Sequence, residues 1–430
     1  MIGPLFCFYG DDFTGSTDAL EALASQGVET VLFLGPPDAR LLAKFPDCRA
    51  IGIAGESRSR GPEWMDAHLP QVFENLRGYG APLCQYKVCS TFDSSPQYGN
   101  VGRAMELGRG VFGNRWVPLA VAAPHLKRYV LFGNLFAAGS GAIHRIDRHP
   151  AMSRHPVTPM DEADLRLHLA RQTAMRIGLV DICALEAGVA DGVLAQAAGT
   201  NDAVLFDGLG PESIREVGRL VWENAVGFCV GSSGLTHALM MHWRDAGLVA
   251  SDFEPVQATP TEKLIVVSGS CSPATGTQIE WALANGYAGI RVDVEATDIH
   301  QYLETALSEI ENGPGVVLYS ALGPGDRRGD PKGEALGRYL GSLLAEVLRR
   351  SGVRRAVVAG GDTSSHAVAQ LGVQALTFAG LLSPGAPLCR AHSEDPPSSQ
   401  LTLDGIELVL KGGQVGPAHF FENVRKGIQE

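Results

Sequence analysis

The chain of 430 residues carries a formal net charge of −12, and 45% of its residues are hydrophobic. This length allows two or three domains with buried cores. The acidic balance disfavours binding to nucleic acid or to an anionic membrane, since either needs a basic surface. The apolar runs are strand-length, and the N-terminus lacks the pattern of a secretion signal. We therefore expect a cytoplasmic globular protein that binds neither nucleic acid nor a membrane.

Strand-like and helix-like segments alternate along almost the whole chain, which predicts an α/β fold with parallel or mixed sheets flanked by helices. In the first half the apolar segments predict strands over 5–9, 30–34, 50–54, 83–88, 117–122, 179–184, 203–206 and 227–231. Periodic segments between them predict helices over 15–25, 161–172, 214–223 and 235–244.

Residues 250–262 carry two prolines and no strong periodicity, which predicts a linker. The alternation then restarts with strands over 263–268, 289–294, 315–320 and 356–359. Helices are predicted over 274–284, 299–310 and 333–350, and from 363 onward. Asp404-Gly405 predicts a hairpin within 403–410. The sequence therefore predicts two α/β domains, 1–249 and 263–430.

Two adjacent carboxylates, Asp11 and Asp12, follow the first predicted strand and precede a helix. One of them is explained by helix capping. A second carboxylate beside it costs repulsion unless a cation, a proton or a sugar hydroxyl is shared. We therefore interpret Asp11 and Asp12 as candidates for substrate binding.

A second polar cluster begins at Lys87, at the end of a predicted strand, and continues with Ser90, Thr91 and Asp93. This mixture suits a polyol that carries a carboxylate, because lysine pairs with the charge while the hydroxyls and the aspartate bind alcohols. The alternative is an ordinary serine-rich turn.

Arg58 and His155 are further candidates for substrate binding. Arg58 supplies a cation in an acidic chain, although most arginines are solvated surface groups. His155 lies in a proline-rich loop ahead of a predicted helix, where it either contacts substrate or packs within the loop.

Three glycine-containing loops, 268–273, 360–365 and 411–416, follow strands in the second half. Glycine lets the backbone approach a ligand, and a helix N-terminus offers N–H groups to an anion. Any one loop could be an ordinary turn or cap, but three at strand ends favour a ligand site. None matches the Walker A pattern. The candidate nucleotide-binding residues are Ser268, Gly269, Ser270, Gly360, Gly361, Asp362, Thr363, Gly412 and Gly413.

Six sequence blocks in order resemble the four-carbon acid sugar kinases. They are GDDFTGSTDA (10–19), YKVCSTFDSSP (86–96), HPVTPMDEADL (155–165), VVSGSCSPAT (266–275), GGDTSS (360–365) and KGGQVG (411–416). The resemblance spans nearly the whole chain. It implies a sugar-binding N-terminal domain, a nucleotide-binding C-terminal domain, and ATP-dependent phosphorylation of a sugar-acid hydroxyl. It implies contacts to ATP around Ser268, Gly360 to Thr363 and Gly413, and to the sugar at Asp11, Asp12, Arg58 and the 87–93 cluster.

The block CSTFDSSP resembles the branch that acts on 3-oxo acids such as 3-oxo-tetronate, whereas the threonate and erythronate kinases carry a DSTLRG-like block. Residues 133–149 depart from the tetronate pattern. The resemblance therefore leaves 3-oxo-isoapionate, D-threonate and D-erythronate as alternative substrates.

Phosphoryl transfer depends on positioning and charge neutralisation. We expect Mg²⁺ to bridge the ATP phosphates, with Asp362 as its candidate ligand, and either Asp12 or Asp362 to take the proton of the acceptor hydroxyl. Closure of the domains would exclude water. A homodimer is one possible assembly.

Two other classes of protein remain open from the sequence. An NAD(P)-dependent oxidoreductase of sugar acids would need a GxGxxG turn followed by a ribose-binding acid, which we do not find. A sensor of sugar acids would bind the ligand without turnover.

Overall fold

The computed structural model describes residues 3–139, 141–155, 157–224, 227–293, 299–326, 333–393 and 402–429. The chain forms two compact units, which confirms the predicted α/β class. One comprises Met1–Asp11, Gln26–Thr30 and Ala43–Phe253, and the other Asp12–Ser25, Val31–Leu42 and Glu254–Glu430. The sequence division at 250–262 assigns 12–25 and 31–42 to the first domain, whereas their contacts group them with the second unit.

The strands in chain order are β1 (Phe6–Gly10), β2 (Thr30–Phe33), β3 (Ala50–Ala54), β4 (Leu83–Lys87), β5 (Val117–Ala120), β6 (Arg128–Leu131), β7 (Asn134–Gly139), β8 (Ala142–Arg145), β9 (Ile177–Val180), β10 (Ala203–Phe206), β11 (Gly227–Gly231), β12 (Leu264–Ser268), β13 (Ala288–Arg291), β14 (Gly315–Tyr319), β15 (Arg355–Ala359), β16 (Val373–Ser383), β17 (Ala386–Ser393) and β18 (Glu407–Lys411).

The helices in chain order are α1 (Phe13–Ala24), α2 (Ala39–Leu42), α3 (Pro62–Gly78), α4 (Val101–Phe112), α5 (Leu165–Leu169), α6 (Ile182–Glu186), α7 (Ala190–Thr200), α8 (Pro211–Asn224), α9 (Ser233–Asp245), α10 (Pro273–Ala284), α11 (Ile299–Asn312), α12 (Gly333–Ser351), α13 (Gly361–Gln370) and α14 (Phe420–Lys426). Within the described ranges, no helix is long and apolar enough to cross a membrane.

The first unit is built on a parallel sheet with the strand order β3-β1-β4-β11-β5-β10-β9. β1, β3 and β4 are buried along their whole length. Burial on both faces explains the continuous apolar runs of β1 and β3, whereas β4 also buries the polar Gln85 and Lys87. Large aromatic side chains fill the core, among them the fully buried Phe6, Phe73, Phe228 and Trp243.

The same unit carries a small antiparallel sheet, β6-β7-β8, which the sequence did not predict. The carboxylate of Asp207, directly after β10, accepts the backbone N–H groups of Phe132 at 2.5 Å, Gly133 at 2.9 Å and Ile182 at 3.0 Å. A bridge between Val130 and Gly208 adds a second attachment. The small sheet is therefore fixed to the carboxyl end of β10.

The second unit has parallel strands in the order β13-β14-β12-β15-β18, followed by the antiparallel strands β17, β16 and β2. Helix α1 packs against β16 and β17, which explains its grouping with this unit. Buried residues that include Val266, Val317, Val357, Val409 and Phe421 form the core.

Three predicted elements differ from the structure. The strand expected over 179–184 is β9 followed by α6, because Asp181 caps that helix by accepting the N–H of Ala184 at 2.9 Å. The helix expected over 161–172 is the short α5. The hairpin expected within 403–410 is wrong: β18 lies parallel to β15 and antiparallel to β17, so its partners lie outside that segment.

Candidate functional site

The carboxyl ends of β1, β3 and β4 lie side by side in the first unit, with β1 in the centre. The chain leaves β1 for β3 on one side and later returns as β4 on the other. Such a reversal of strand order opens a crevice at the carboxyl ends of a parallel sheet. The predicted substrate residues Asp11 and Lys87 lie at this point, and the backbone N–H of Asp11 donates to the carbonyl of Lys87 at 2.9 Å.

A bidentate ion pair joins Asp11 to Arg58. Arg58 Nε donates to Asp11 Oδ2 at 3.1 Å and Nη2 donates to Oδ1 at 2.6 Å. The Asp11 side chain is 6% exposed and that of Arg58 23%. Arg58 thus supplies the cation that relieves the repulsion expected between Asp11 and its neighbour.

The loop after β4 brings Thr91 and Asp93 together. The Thr91 hydroxyl donates to Asp93 Oδ1 at 2.6 Å and lies 2.9 Å from the Cys89 thiol. Burial raises the pKa of Asp93, but the positive charge of Arg58, the Thr91 hydrogen bond and the charge of His155 outweigh it, so the pKa lies below its ordinary value. Asp93 is therefore ionised at neutral pH and lies close to Arg58.

The other residues predicted to bind the sugar differ in burial and in their hydrogen bonds. Lys87 and Ser90 are buried at the end of β4 and just beyond it. The Ser90 hydroxyl makes no hydrogen bond with the part of the chain that the structure describes. His155 Nδ1 lies 2.9 Å from the Thr158 hydroxyl and accepts the Thr158 N–H at 3.1 Å. His155 therefore both packs in its loop and acts electrostatically on Asp93.

Asp12 belongs to the second unit and caps helix α1. Its Oδ1 accepts the Gly15 N–H at 2.7 Å, and its Oδ2 accepts the Thr14 hydroxyl at 2.8 Å. The two adjacent aspartates thus have different partners: an arginine for Asp11 and a helix N-terminus for Asp12.

The three glycine loops of the second unit meet at the carboxyl ends of β12, β15 and β18. The Gly360 N–H donates to the carbonyl of Lys411 at 2.9 Å, and the Gly269 N–H donates to that of Ala359 at 3.2 Å. A Cβ at Gly413 would lie 3.2 Å from Ser270 Oγ. The structure therefore brings the predicted nucleotide loops together.

Packing explains some of these loop residues but not all. A Cβ on Gly269 would lie 2.3 Å from Thr363 Oγ1, and Gly360 has φ of +122°, so both positions require glycine for the fold itself. Ser268 is fully buried, and its hydroxyl accepts a hydrogen bond from the Ser270 N–H at 3.4 Å. A Cβ on Gly361 meets nothing within 4 Å, and one on Gly412 meets a single methyl group at 3.6 Å. These two glycines leave open space for a ligand.

The side chain of Asp362, the candidate metal ligand and base, lies outside what the structure describes; its backbone lies in the first turn of α13. Within the described ranges, no group of three or more His, Cys, Asp or Glu side chains could hold a metal ion.

Sequence reasoning missed Lys411, which is fully buried at the end of β18. Its Nζ donates to the Thr275 hydroxyl and to the Gly412 carbonyl, both at 3.0 Å, and Thr275 in turn donates to the Gly413 carbonyl at 3.0 Å. Burial lowers the pKa of Lys411 to about 7. This network fixes the third glycine loop, and the block KGGQVG already contained the residue.

A second missed group lies beneath the sugar-site loop. His168 Nε2 lies 2.9 Å from the Ser94 hydroxyl and 3.0 Å from the Gln172 amide, and Ser94 donates to the Phe92 carbonyl at 3.0 Å. Phe92 has φ of +58°, a left-handed conformation that a phenylalanine adopts at a cost. The buried His168 network therefore stabilises the backbone that presents Thr91 and Asp93.

Acidification is expected to destabilise the protein through His168. Burial, followed by the charge of Arg171, lowers the pKa of His168 to about 4, against an ordinary value near 6.5. Because the unfolded chain binds this proton first, stability is lost as the pH falls from about 6.5 towards 4, by up to about 3 kcal/mol. His168→Gln should reduce this loss in denaturant unfolding curves, whereas His68→Gln, at an exposed site on α3, should not. Equal pH dependence in all three proteins would contradict the assignment.

The comparisons with known proteins identify the class of the two units. A sugar-binding N-terminal domain matches residues 6–239, and a nucleotide-binding C-terminal domain matches residues 265–421. The chain belongs to the family that combines these two domains, the four-carbon acid sugar kinases. The resemblance found in the six sequence blocks is thereby confirmed.

Relatives of assigned activity cover nearly the whole chain. A 3-oxo-isoapionate kinase of Paraburkholderia graminis is 48% identical over 99% of this chain and 95% of its own length. A 3-oxo-tetronate kinase of Methylobacterium radiotolerans is 31% identical over 96% of each chain, and one from Pectobacterium atrosepticum is 28% identical over 97% of each. The prediction of an ATP-dependent sugar-acid kinase is confirmed by these relatives, against the oxidoreductase alternative.

Solved structures support the fold. A Salmonella typhimurium LT2 protein has a TM-score of 0.80 at 23% identity, over 98% of both chains. A Haemophilus influenzae protein has a TM-score of 0.71 at 23% identity, over 97% of this chain and 98% of its own. The arrangement of elements is therefore shared with crystallographically determined proteins.

Proposed function

We propose that the protein transfers the γ-phosphoryl group of ATP to a hydroxyl of 3-oxo-isoapionate. The observation that carries the proposal is the polar cluster of the first unit, in which Arg58, Asp11, Thr91 and Asp93 meet at the carboxyl ends of parallel strands. A cation, carboxylates and hydroxyls together can bind the carboxylate and the alcohols of an acid sugar. The 48% identity to a 3-oxo-isoapionate kinase favours that substrate.

3-Oxo-tetronate is the second candidate substrate. The relatives assigned to it are 28% and 31% identical to this chain over nearly its whole length. Both acids carry a carboxylate and a carbonyl, so they place similar demands on the same cluster.

ATP is assigned to the three loops of the second unit, with the open positions Gly361 and Gly412 facing the phosphates and Ser270 and Thr363 as further contacts. The N–H groups at the start of α13 can donate to phosphate oxygens. Mg²⁺ bound with the nucleotide would neutralise phosphate charge, and Asp362 is the residue we assign to hold it.

In the reaction the acceptor oxygen forms a bond to the γ-phosphorus while the bond between that phosphorus and the β,γ-bridging oxygen breaks, which releases ADP. The acceptor hydroxyl loses its proton late in such a transfer, so a weak base suffices. We assign this proton to the carboxylate of Asp12, which follows Asp11 directly in the chain.

The carbonyl of the substrate is expected to be selected by a hydrogen-bond donor. A carbonyl accepts but cannot donate, so a donor favours it over a hydroxyl in the same place. Thr91 and Ser94 already donate to Asp93 and to the Phe92 carbonyl. Ser90, with no such partner among the described residues, is the donor we assign.

The 3-oxo acids should be used at least about 10-fold more efficiently than their non-oxidised counterparts, since one unmatched hydrogen bond corresponds to about 1.4 kcal/mol. The test compares kcat/KM for 3-oxo-isoapionate, 3-oxo-tetronate, threonate, erythronate and a neutral tetrose, with ATP and Mg²⁺. We expect the highest value for 3-oxo-isoapionate. Equal efficiency on threonate and 3-oxo-tetronate would contradict the carbonyl preference, and efficient use of the tetrose would contradict the carboxylate requirement.

The net charge of −12 supports a small-molecule partner and argues against nucleic acid. A cytoplasmic location and a homodimer remain part of the proposal, and light scattering of the purified protein measures the assembly.

A further inference from the structure

Arg128 lies at the start of β6, in the small antiparallel sheet of the first unit. Its backbone N–H donates to the carbonyl of Ala123 at 3.1 Å, and the Ala123 N–H donates back to the carbonyl of Arg128 at 3.0 Å. In the β6–β7 ladder Arg128 is paired with Ala137. The position of this residue is therefore fixed by the sheet rather than by its own side chain.

The guanidinium of Arg128 has few protein partners within the described residues. Nη1 donates to the carbonyls of Leu126 at 2.8 Å and Lys127 at 3.3 Å. Nε is buried and has no hydrogen-bond partner in the described part of the chain. Arg128 also forms no ion pair with a described residue, whereas Arg58, Arg145 and Arg166 each pair with a carboxylate.

A partly buried cation that lacks a carboxylate carries an uncompensated cost of desolvation. Burial lowers the pKa of Arg128, whose guanidinium lies near the Cys89 side chain. The guanidinium stays charged, because arginine does not lose its proton in proteins. An anionic ligand would supply the missing partner.

Arg128 lies at the same edge of the sheet as the predicted sugar site, because it is bridged to Ala123, which closely follows β5. The Cys89 side chain is its neighbour there. Cys89 lies in the loop of Thr91 and Asp93, and its thiol is 2.9 Å from the Thr91 hydroxyl. Arg58 acts electrostatically on the same Cys89 thiol and on Asp93. Two guanidiniums thus lie near this loop. Arg58 already uses its Nε and Nη2 to hold Asp11, whereas the same edge of Arg128 has no protein partner in the described residues.

We propose that Arg128 binds the carboxylate of the acid sugar through its Nε and Nη2 edge and so selects acids over neutral sugars. Arg58 binds the carboxylate of Asp11 in the same bidentate way, through its Nε and Nη2. Because Nε is buried in this structure, binding of the carboxylate requires the Arg128 side chain to rotate. The inference rests on the proposed function and deepens it, since it names the residue that recognises the acid group.

The test compares the wild type with Arg128→Gln and Arg128→Lys on 3-oxo-isoapionate and on its methyl ester. Arg128→Gln should raise the KM for the acid at least about 10-fold, equivalent to about 1.4 kcal/mol. It should leave the KM for ATP, the kcat and the kcat/KM for the ester within about threefold of the wild type. Arg128→Lys should have a KM for the acid between those of the wild type and Arg128→Gln, because lysine keeps the positive charge but cannot bind a carboxylate through two parallel N–H groups.

Arg176→Gln is the matched control. It removes the same charge at the amino end of β9, where Arg176 pairs with Asp202 at 3.4 Å, and it should leave all constants unchanged. An unchanged KM for the acid in Arg128→Gln, or equal losses for acid and ester, would overturn the assignment while leaving the kinase function standing.

Calorimetric titration of 3-oxo-isoapionate without ATP separates the two proposals further. If the wild type binds the acid in this titration but does not phosphorylate it in the kinetic assay, the proposed function fails. Weaker binding of the acid by Arg128→Gln would then still support the role of Arg128 in binding the carboxylate. If the wild type neither binds nor phosphorylates the acid, both fail.

Discussion

Replacement of Asp12 by asparagine is expected to lower kcat at least about 100-fold, because a carboxamide cannot take the proton of the acceptor hydroxyl. The substitution should leave the fold intact. Asparagine caps helices about as well as aspartate, so its side-chain oxygen can still accept the Gly15 N–H that Asp12 now accepts at 2.7 Å. Steady-state kinetics with ATP and 3-oxo-isoapionate measure the effect, and the melting temperature verifies the fold.

Asp38→Asn is the control for this experiment. Asp38 caps the short helix α2 in the same unit by accepting the Leu41 N–H at 2.7 Å, so the variant repeats the chemical change at another cap. Its kcat should match the wild type. A normal kcat in Asp12→Asn would restrict Asp12 to capping α1. Loss of ATP binding with unchanged sugar binding would instead assign Asp12 to the nucleotide site.

Gly361→Val is expected to abolish the stabilisation of the protein by ATP. Saturating ATP should stabilise the wild type by about 2.7 kcal/mol at 100 times its Kd, through mass action on the native state. A Cβ at Gly361 meets nothing within 4 Å, so the fold accommodates it, but valine would fill the space that we assign to the phosphates. Thermal unfolding with and without ATP and Mg²⁺ measures the difference.

Gly199→Val provides the comparison, since a Cβ there, in α7 of the first unit, also meets nothing within 4 Å. It should keep the full shift with ATP. Gly413→Val is expected to abolish the shift as well, but it is less clean, because its Cβ would lie 3.0 Å from that of Ser272. A full shift in Gly361→Val would remove this loop from the nucleotide site.

The main sheets could be predicted from the sequence because their strands are short apolar runs between amphipathic segments. The predicted bounds 50–54, 203–206 and 227–231 match β3, β10 and β11. The small sheet could not be predicted in the same way. Its first turn has φ of +52° at Phe132 and +80° at Gly133, a type of hairpin turn in which asparagine or glycine is the usual first residue. Because the chain has phenylalanine at that position, its sequence does not indicate a hairpin turn there.

The candidate site could be predicted where its residues end a strand, as Lys87 does, or follow one directly, as Asp11 and Gly360 do. The partners of these residues could not, because they depend on tertiary contacts. Arg58 reaches Asp11 across 47 positions and His168 reaches Ser94 across 74. The edge of Arg128 that has no partner among the described residues is likewise a property of the fold, since the sequence shows the arginine but not which carboxylates surround it.

We conclude that an acid sugar accepts the phosphoryl group of ATP on this protein. The most direct test measures ADP and phosphorylated 3-oxo-isoapionate in the same reaction, by a coupled assay and by mass spectrometry. We expect the two products to form in equal amounts and ADP formation to stop when the sugar is omitted. ADP formed at the same rate without the sugar, or sugar consumed without any phosphorylated product, would contradict it.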